Sequence, residues 1–104
     1  MSSLDDITAK LRTAVGADSG LGKTVKYDFK GEGFIFIDGG SVTNEDKPAD
    51  LTLTISLDNF AALYSGKLSP MSAVMTGKLK MSDMGVAMVL QSKLEALGKR
   101  IQQG

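Results

Sequence analysis

Neither cysteine nor histidine occurs anywhere in the chain, and each absence removes a class of chemistry. Without thiols there are no disulfides and no thiolate metal sites, and redox compartment is not encoded. Without imidazole as well, nucleophile-base pairs and the common metal sites lose their usual members, so neither an enzyme nor a bound cofactor is expected. No surplus of charge exists either: twelve Lys and Arg face twelve Asp and Glu. Nucleic-acid binding calls for a concentrated basic stripe that displaces counterions, and the balance argues against it. The same balance disfavours a basic helix lying on a membrane surface. No apolar run approaches the roughly 18 residues of a membrane-spanning helix, so no stable membrane insertion is expected. The start, Met1-Ser2-Ser3-Leu4-Asp5-Asp6, lacks the basic region and apolar run of a signal peptide, which points to a cytoplasmic protein.

What is present describes one globular domain over residues 1–104, too short for a second core. An apolar content of 42% with 23% charge excludes a disordered chain. Five of the six methionines, Met71, Met75, Met81, Met84 and Met88, fall between Ser56 and Gln91. Thioethers on unbranched stems repack around variable shapes, whereas a rigid core is better served by Leu, Ile and Val. The cluster therefore suits a surface that adapts to an apolar ligand. Clustering alone does not separate that role from gap filling.

Periodicity sets out the architecture. Leu4, Ile7, Leu11, Ala14 and Val15 recur at three- and four-residue steps after a Ser3-x-x-Asp6 capping signal, predicting a helix that ends near Gly16. From Lys23 the period is two, with Val25, Tyr27 and Phe29 opposite Lys26, Asp28 and Lys30. Phe34-Ile35-Phe36-Ile37 predicts a second strand and Asp38-Gly39-Gly40 a hairpin into Ser41-Val42-Thr43. That strand lacks alternation, so something extra must cover its second face. Leu51, Leu53, Ile55 and Leu57 alternate with Thr52, Thr54 and Ser56, giving the clearest strand. A helix capped by Ser56 or Asp58 carries Phe60, Leu63 and Tyr64 to Gly66, and another, capped by Ser69 with Pro70 first, carries Met71, Val74 and Met75 to Gly77. Lys78 to Ser82 alternates as a fifth strand. The final helix is apolar all round from Met84 to Leu90, which predicts a buried first half, then narrows to Leu94, Leu97 and Ile101. One polar strand face implies a two-layer α+β domain, its mainly antiparallel sheet covered by helices on the other face.

Asp50-Leu51-Thr52-Leu53-Thr54-Ile55, Asp58-x-Phe60-x-x-Leu63-x-x-Gly66-Lys67-Leu68-x-Pro70, Met75-x-Gly77-Lys78-Leu79-Lys80 and Met84-Gly85-x-Ala87-Met88-x-Leu90-Gln91 together resemble the sterol carrier protein 2 family. Weaker agreement extends through Val25 to Val42 and the leading helix. The resemblance implies a small carrier without a prosthetic group, holding fatty acid, fatty acyl-CoA, sterol or phospholipid in a tunnel between sheet and helices. The ending Gln102-Gln103-Gly104, where peroxisomal members carry a Ser-Lys-Leu type address, points to a stand-alone bacterial cytoplasmic member.

An apolar tunnel needs walls, and the sequence offers them. Leu53, Ile55 and Leu57 are expected as floor, Phe60 and Leu63 as one side, Met71, Val74 and Met75 as a second, and Leu79, Met81, Met84 and Met88 as the back. A monomer that binds one lipid is the expected state. The other class of protein compatible with these residues is an interaction module whose methionine groove takes a partner's apolar helix.

Two motifs point elsewhere and fail on context. Ala17-Asp18-Ser19-Gly20-Leu21-Gly22-Lys23-Thr24 fits a relaxed P-loop, but a helix precedes it and a strand follows, the reverse of what phosphate binding requires. Asp38, Glu45, Asp46 and Asp50 match no calcium-loop spacing and read as solvated turns. Lys67, Lys78 and Lys80 could neighbour a ligand carboxylate or phosphate, although exposure is the default for lysine.

Overall fold

Alternation from Val25 onward becomes the central strand of a five-stranded sheet in the computed structural model, which describes residues 4–16 and 20–103. In chain order the elements are α1 (Leu4–Val15), β1 (Val25–Asp28), β2 (Phe34–Asp38), β3 (Ser41–Thr43), β4 (Leu51–Ile55), α2 (Leu57–Tyr64), α3 (Pro70–Met75), β5 (Leu79–Met81) and α4 (Met84–Gln103). The sheet order is β3-β2-β1-β4-β5. Three pairings are antiparallel and only β1 with β4 is parallel, so the two-layer α+β fold with a mainly antiparallel sheet is what forms. Ser3 of the expected capping signal and residues 17–19 of the P-loop-like segment lie outside the described residues, but the order of α1, connector and β1 is the one the sequence implies.

Register brings the apolar positions onto one face. Val25 stands between Ile37 and Leu51, and Tyr27 between Ile35 and Leu53, while Ile37 meets Val42 and Ile55 meets Leu79. A one-residue slip would turn all of them to water, so burial of this set specifies the pairing. The turn from β2 to β3 places Gly39 at φ 58, the left-handed region in which glycine carries no side-chain penalty. Gly33 at φ 137 has a second reason to be glycine: a Cβ there would collide with the Leu4 side chain of α1. Lys30 falls in the turn after β1 and does not continue the strand.

The unalternating strand Phe34-Ile35-Phe36-Ile37 is covered on both faces. Ile35 and Ile37 enter the core, and Phe36, paired with Lys26 and Thr43, faces the other way. Because β3 is an edge strand and β4 lies beyond β1, residues 44–50 must cross the sheet, and they do so over Phe34 and Phe36. Lys47 Nζ sits 5.6 Å from the Phe36 ring centroid and Lys26 Nζ 5.6 Å from that of Phe34. Lys26 also pairs with Asp46 at 2.7 Å, and Asn44 Nδ2 donates to the Phe34 carbonyl at 2.9 Å and to Thr8 Oγ1 of α1 at 3.0 Å. This is the extra cover that the sequence demands, supplied by amphipathic lysine stems in place of an apolar layer.

Asp50 locks the other end of that crossing. Its carboxylate accepts the Thr24 N–H at 2.9 Å and the Thr24 hydroxyl at 3.1 Å, and its own N–H donates to Thr24 Oγ1 at 2.9 Å. These bonds hold the carboxyl below the usual aspartate range, the backbone bond first and the hydroxyl second. A depressed folded-state pKa contributes stability above the unfolded value, and that contribution disappears as pH falls through the folded value. We therefore expect stability to decline below about pH 4. Asp50→Asn should show a shallower decline in urea midpoint over that range, and an identical slope would contradict the assignment.

Candidate functional site

The inner layer between sheet and helices is apolar and its centre is aromatic. Tyr27 on β1, Phe29 just after it and Phe60 on α2 form a triangle. Phe60 meets Tyr27 edge-on at 5.0 Å between centroids and Phe29 at 5.5 Å, while Tyr27 and Phe29 lie parallel at 6.1 Å. Edge-to-face pairs of this kind add to the area they bury. Burial raises the Tyr27 phenol above its ordinary pKa, so it remains a neutral hydroxyl throughout the useful pH range.

Local sequence explains how α2 and α3 come to lie here. Ser56 caps α2, its hydroxyl accepting the Asn59 N–H at 3.2 Å, and this turns the chain out of β4 directly over the sheet. Ser69 caps α3 in the same way through Ser72 at 3.2 Å, with Pro70 in the first turn. Asp83, which the sequence reading did not single out, caps α4 by accepting the Val86 N–H at 3.2 Å. Its signal was an aspartate immediately before an apolar run.

The expected wall residues divide into three groups. Leu53, Ile55, Leu57, Phe60 and Leu79 are buried in the core. Leu63, Val74 and Met81 are partly buried and pack against it. Met71, Met75, Met84 and Met88 are exposed, at 71%, 80%, 55% and 72%. The expected burial of the first half of α4 is therefore corrected. Only Ala87 and Leu90 are fully inward there, with Val86 partly so, and Val89 is 64% exposed. The cause is helical phase. Leu90, Leu94 and Leu97 fix which side of α4 meets the protein, and at 100° per residue this puts Met88 on the opposite side and Met84 on the outer flank. In α3 the inward residue is Ala73, whose small side chain lets the helix lie close while Met71 and Met75 point out. Tyr27 and Phe29 belong to the same inner layer as Phe60. Their inward phase on β1 was legible, but nothing in sequence spacing linked them to α2.

Among the described residues every exposed large apolar side chain, Met71, Met75, Met84, Met88 and Val89, stands on α3 or α4. The two halves of α4 are held differently. Its second half is tied by Leu97 and by Arg100, whose Nη1 donates to the Ala14 carbonyl at the end of α1 at 3.1 Å. The acidic residues do not converge: Asp46 pairs with Lys26, Glu45 with Lys47 at 3.2 Å, and Asp50 with Thr24. Among the described residues no group of three or more His, Cys, Asp or Glu side chains could hold a metal ion. Lys67, Lys78 and Lys80 are exposed. No helix among the described residues is long and apolar enough to cross a membrane.

Comparison with known proteins agrees with this geometry. Residues 7–95 match the SCP-2 sterol transfer family, and the chain belongs to that family. Over 55 residues, 52% of this chain, it is 47% identical to human sterol carrier protein 2, of which the matched part is 10%. Among solved structures, sterol carrier protein 2 from Yarrowia lipolytica in its apo form superposes with a TM-score of 0.70 at 22% identity, covering 90% of this chain and 91% of that one. Sterol carrier protein 2 like 2 from Aedes aegypti gives a TM-score of 0.74 at 22% identity, covering 86% and 94%. These two likenesses establish the shared fold.

Proposed function

We propose that this chain is a monomeric, non-enzymatic carrier whose single domain takes one lipid between the sheet and helices α3 and α4. The observation that carries the reading is that, among the described residues, exposed large apolar side chains are confined to those two helices, beside a predominantly apolar inner layer, in a member of a family named for sterol transfer. Leu53, Ile55, Leu57, Phe60 and Leu79 form the floor, Leu63, Val74 and Met81 the sides. Met71, Met75, Met84 and Met88 fold over the ligand as it enters. Long flexible thioethers suit that task because they repack around different lipids.

Entry requires the first half of α4 to lift. Its inward side chains are small or few, Ala87, Val86 and Leu90, whereas the second half stays tied through Leu97 and Arg100. The energetics are adequate. Burying about sixteen methylenes at ~0.8 kcal/mol each gains roughly 12 kcal/mol gross, from which ordering costs are subtracted. Micromolar binding needs about 8 kcal/mol, without any ion pair to a headgroup. Fatty acid, fatty acyl-CoA, sterol and phospholipid all supply such apolar length.

Native mass spectrometry of the freshly expressed protein tests the reading. Masses heavier than the 11.0 kDa chain by one fatty acid or phospholipid are expected, collapsing to the bare mass on delipidation. A bare mass before any delipidation, unchanged when palmitate is added, would reject it.

A further inference from the structure

Among the described residues the buried core holds two side chains with a polar atom, Thr8 and Tyr27. Thr8 is satisfied within the protein: its hydroxyl donates to the Leu4 carbonyl at 2.7 Å and accepts from Asn44 Nδ2 at 3.0 Å. Tyr27 is not. No described residue gives its hydroxyl a hydrogen bond, although Phe29 and Phe60 pack its ring and the residue is only 7% exposed. Thr43 Oγ1 on β3 is the one fully enclosed side-chain oxygen without a partner among the described residues, so the Tyr27 oxygen, equally unpartnered, keeps an opening. Position makes that opening informative. Tyr27 stands on the central strand beside Leu53 of β4 and meets Phe60 of α2 edge-on at 5.0 Å, and both neighbours belong to the floor of the proposed lipid site.

We propose that the Tyr27 hydroxyl is the polar anchor of the lipid site and selects lipids that carry a neutral oxygen, an alcohol on a long chain or on a fused-ring body, inserted with that oxygen inward. Tyr27 has this role only if the inner layer takes a lipid, the reading proposed for the site. A phenol both donates to and accepts from an alcohol, so either polarity of bond forms. Covering an unpaired hydroxyl with an apolar chain strips it of hydrogen bonding, whereas a ligand oxygen supplies the missing partner. A carboxylate does not suit the same place. No charged side chain is buried among the described residues, and Lys67, Lys78 and Lys80 are exposed, so an anion drawn to Tyr27 would lose its hydration against a single neutral donor. A fatty acid therefore enters tail first, keeping its carboxylate at the mouth and leaving Tyr27 unpaired beneath its chain. One oxygen atom of the protein thus separates lipids bound alcohol inward from lipids bound tail inward.

Tyr27→Phe removes that oxygen and keeps the ring. Displacement of a fluorescent palmitate analogue from the delipidated full chain tests the role, with hexadecanol against hexadecane and cholestanol against cholestane as competitors. The ratio of alcohol affinity to hydrocarbon affinity is read on one protein at a time, so any loss of stability common to both ligands cancels. In Tyr27→Phe this ratio is expected to fall about tenfold for at least one pair, and the pair that shows the fall identifies the lipid body. Affinity for the palmitate analogue should be unchanged or higher in the variant. Ratios that do not move in either pair would overturn the proposal. A loss of palmitate affinity equal to that of the alcohol would overturn it too, because a carboxylate would then be using the same oxygen. Failure of the parent to bind the analogue at all would remove the carrier reading and this role with it, whereas binding with unmoved ratios would remove the role of Tyr27 alone.

Discussion

Replacing Met71, Met75, Met84 and Met88 together by Gln is expected to lower affinity for palmitate at least a hundredfold while leaving the unfolding free energy nearly unchanged. The two halves of this result come from the same fact. Each of these residues is more than half exposed, so its loss removes little folded-state packing. Surface changes of this kind usually stay within about 0.5 kcal/mol each, and Gln sustains a helix almost as well as Met. Carrying one such side chain from water into full apolar contact is worth about 1.5–3 kcal/mol. If a bound lipid covers half of each, four of them contribute about 3–6 kcal/mol, and a hundredfold loss needs only about 2.8. Fluorescence titration and urea denaturation on the same samples check both halves. Unchanged affinity would mean that the methionines are not part of the lipid site.

Phe60→Ala is expected to act in the opposite way, destabilising the fold by about 3–5 kcal/mol. Phe60 is buried and is the one ring that touches both Tyr27 and Phe29, at 5.0 and 5.5 Å. Truncation removes two edge-to-face contacts and leaves a hole beneath α2 that a sheet and a capped helix cannot close. At about 4–8 °C per kcal/mol for a domain of this size, the midpoint of thermal unfolding should fall by about 12 °C or more. Phe60→Leu should recover part of that loss. A change below about 1 kcal/mol for the alanine variant, measured by denaturant unfolding, would show that the aromatic triangle is not the centre of the core.

Much of this fold is legible in the sequence because its signals are local. Ser56, Ser69 with Pro70, and Asp38-Gly39-Gly40 each announce a cap or turn through side-chain or backbone chemistry within four residues, and each is found where expected. The inward set of β1 and β4 follows from a period of two. What could not be read depends on residues distant in sequence. Helical phase is invisible where a segment is apolar all round, so Met84 to Leu90 gave no hint that Met84 and Met88 face out, and only docking of Leu90, Leu94 and Leu97 decides it. The cover over Phe34 and Phe36 was expected in kind, but its identity lies in Lys26 and Lys47, residues that composition alone assigns to solvent. The parallel pairing of β1 with β4 depends on residues 44–50 crossing the sheet, and the Thr24 and Asp50 bonds that lock its end join positions 26 apart.

The central claim is that the layer between the sheet and α3 and α4 accepts a lipid chain, and the parent arm of the palmitate titration measures this most directly. Delipidated protein should bind one fluorescent palmitate per chain with a dissociation constant near or below about 1 μM, displaced by unlabelled palmitate. Absence of a saturable signal at protein concentrations well above that value would contradict the account.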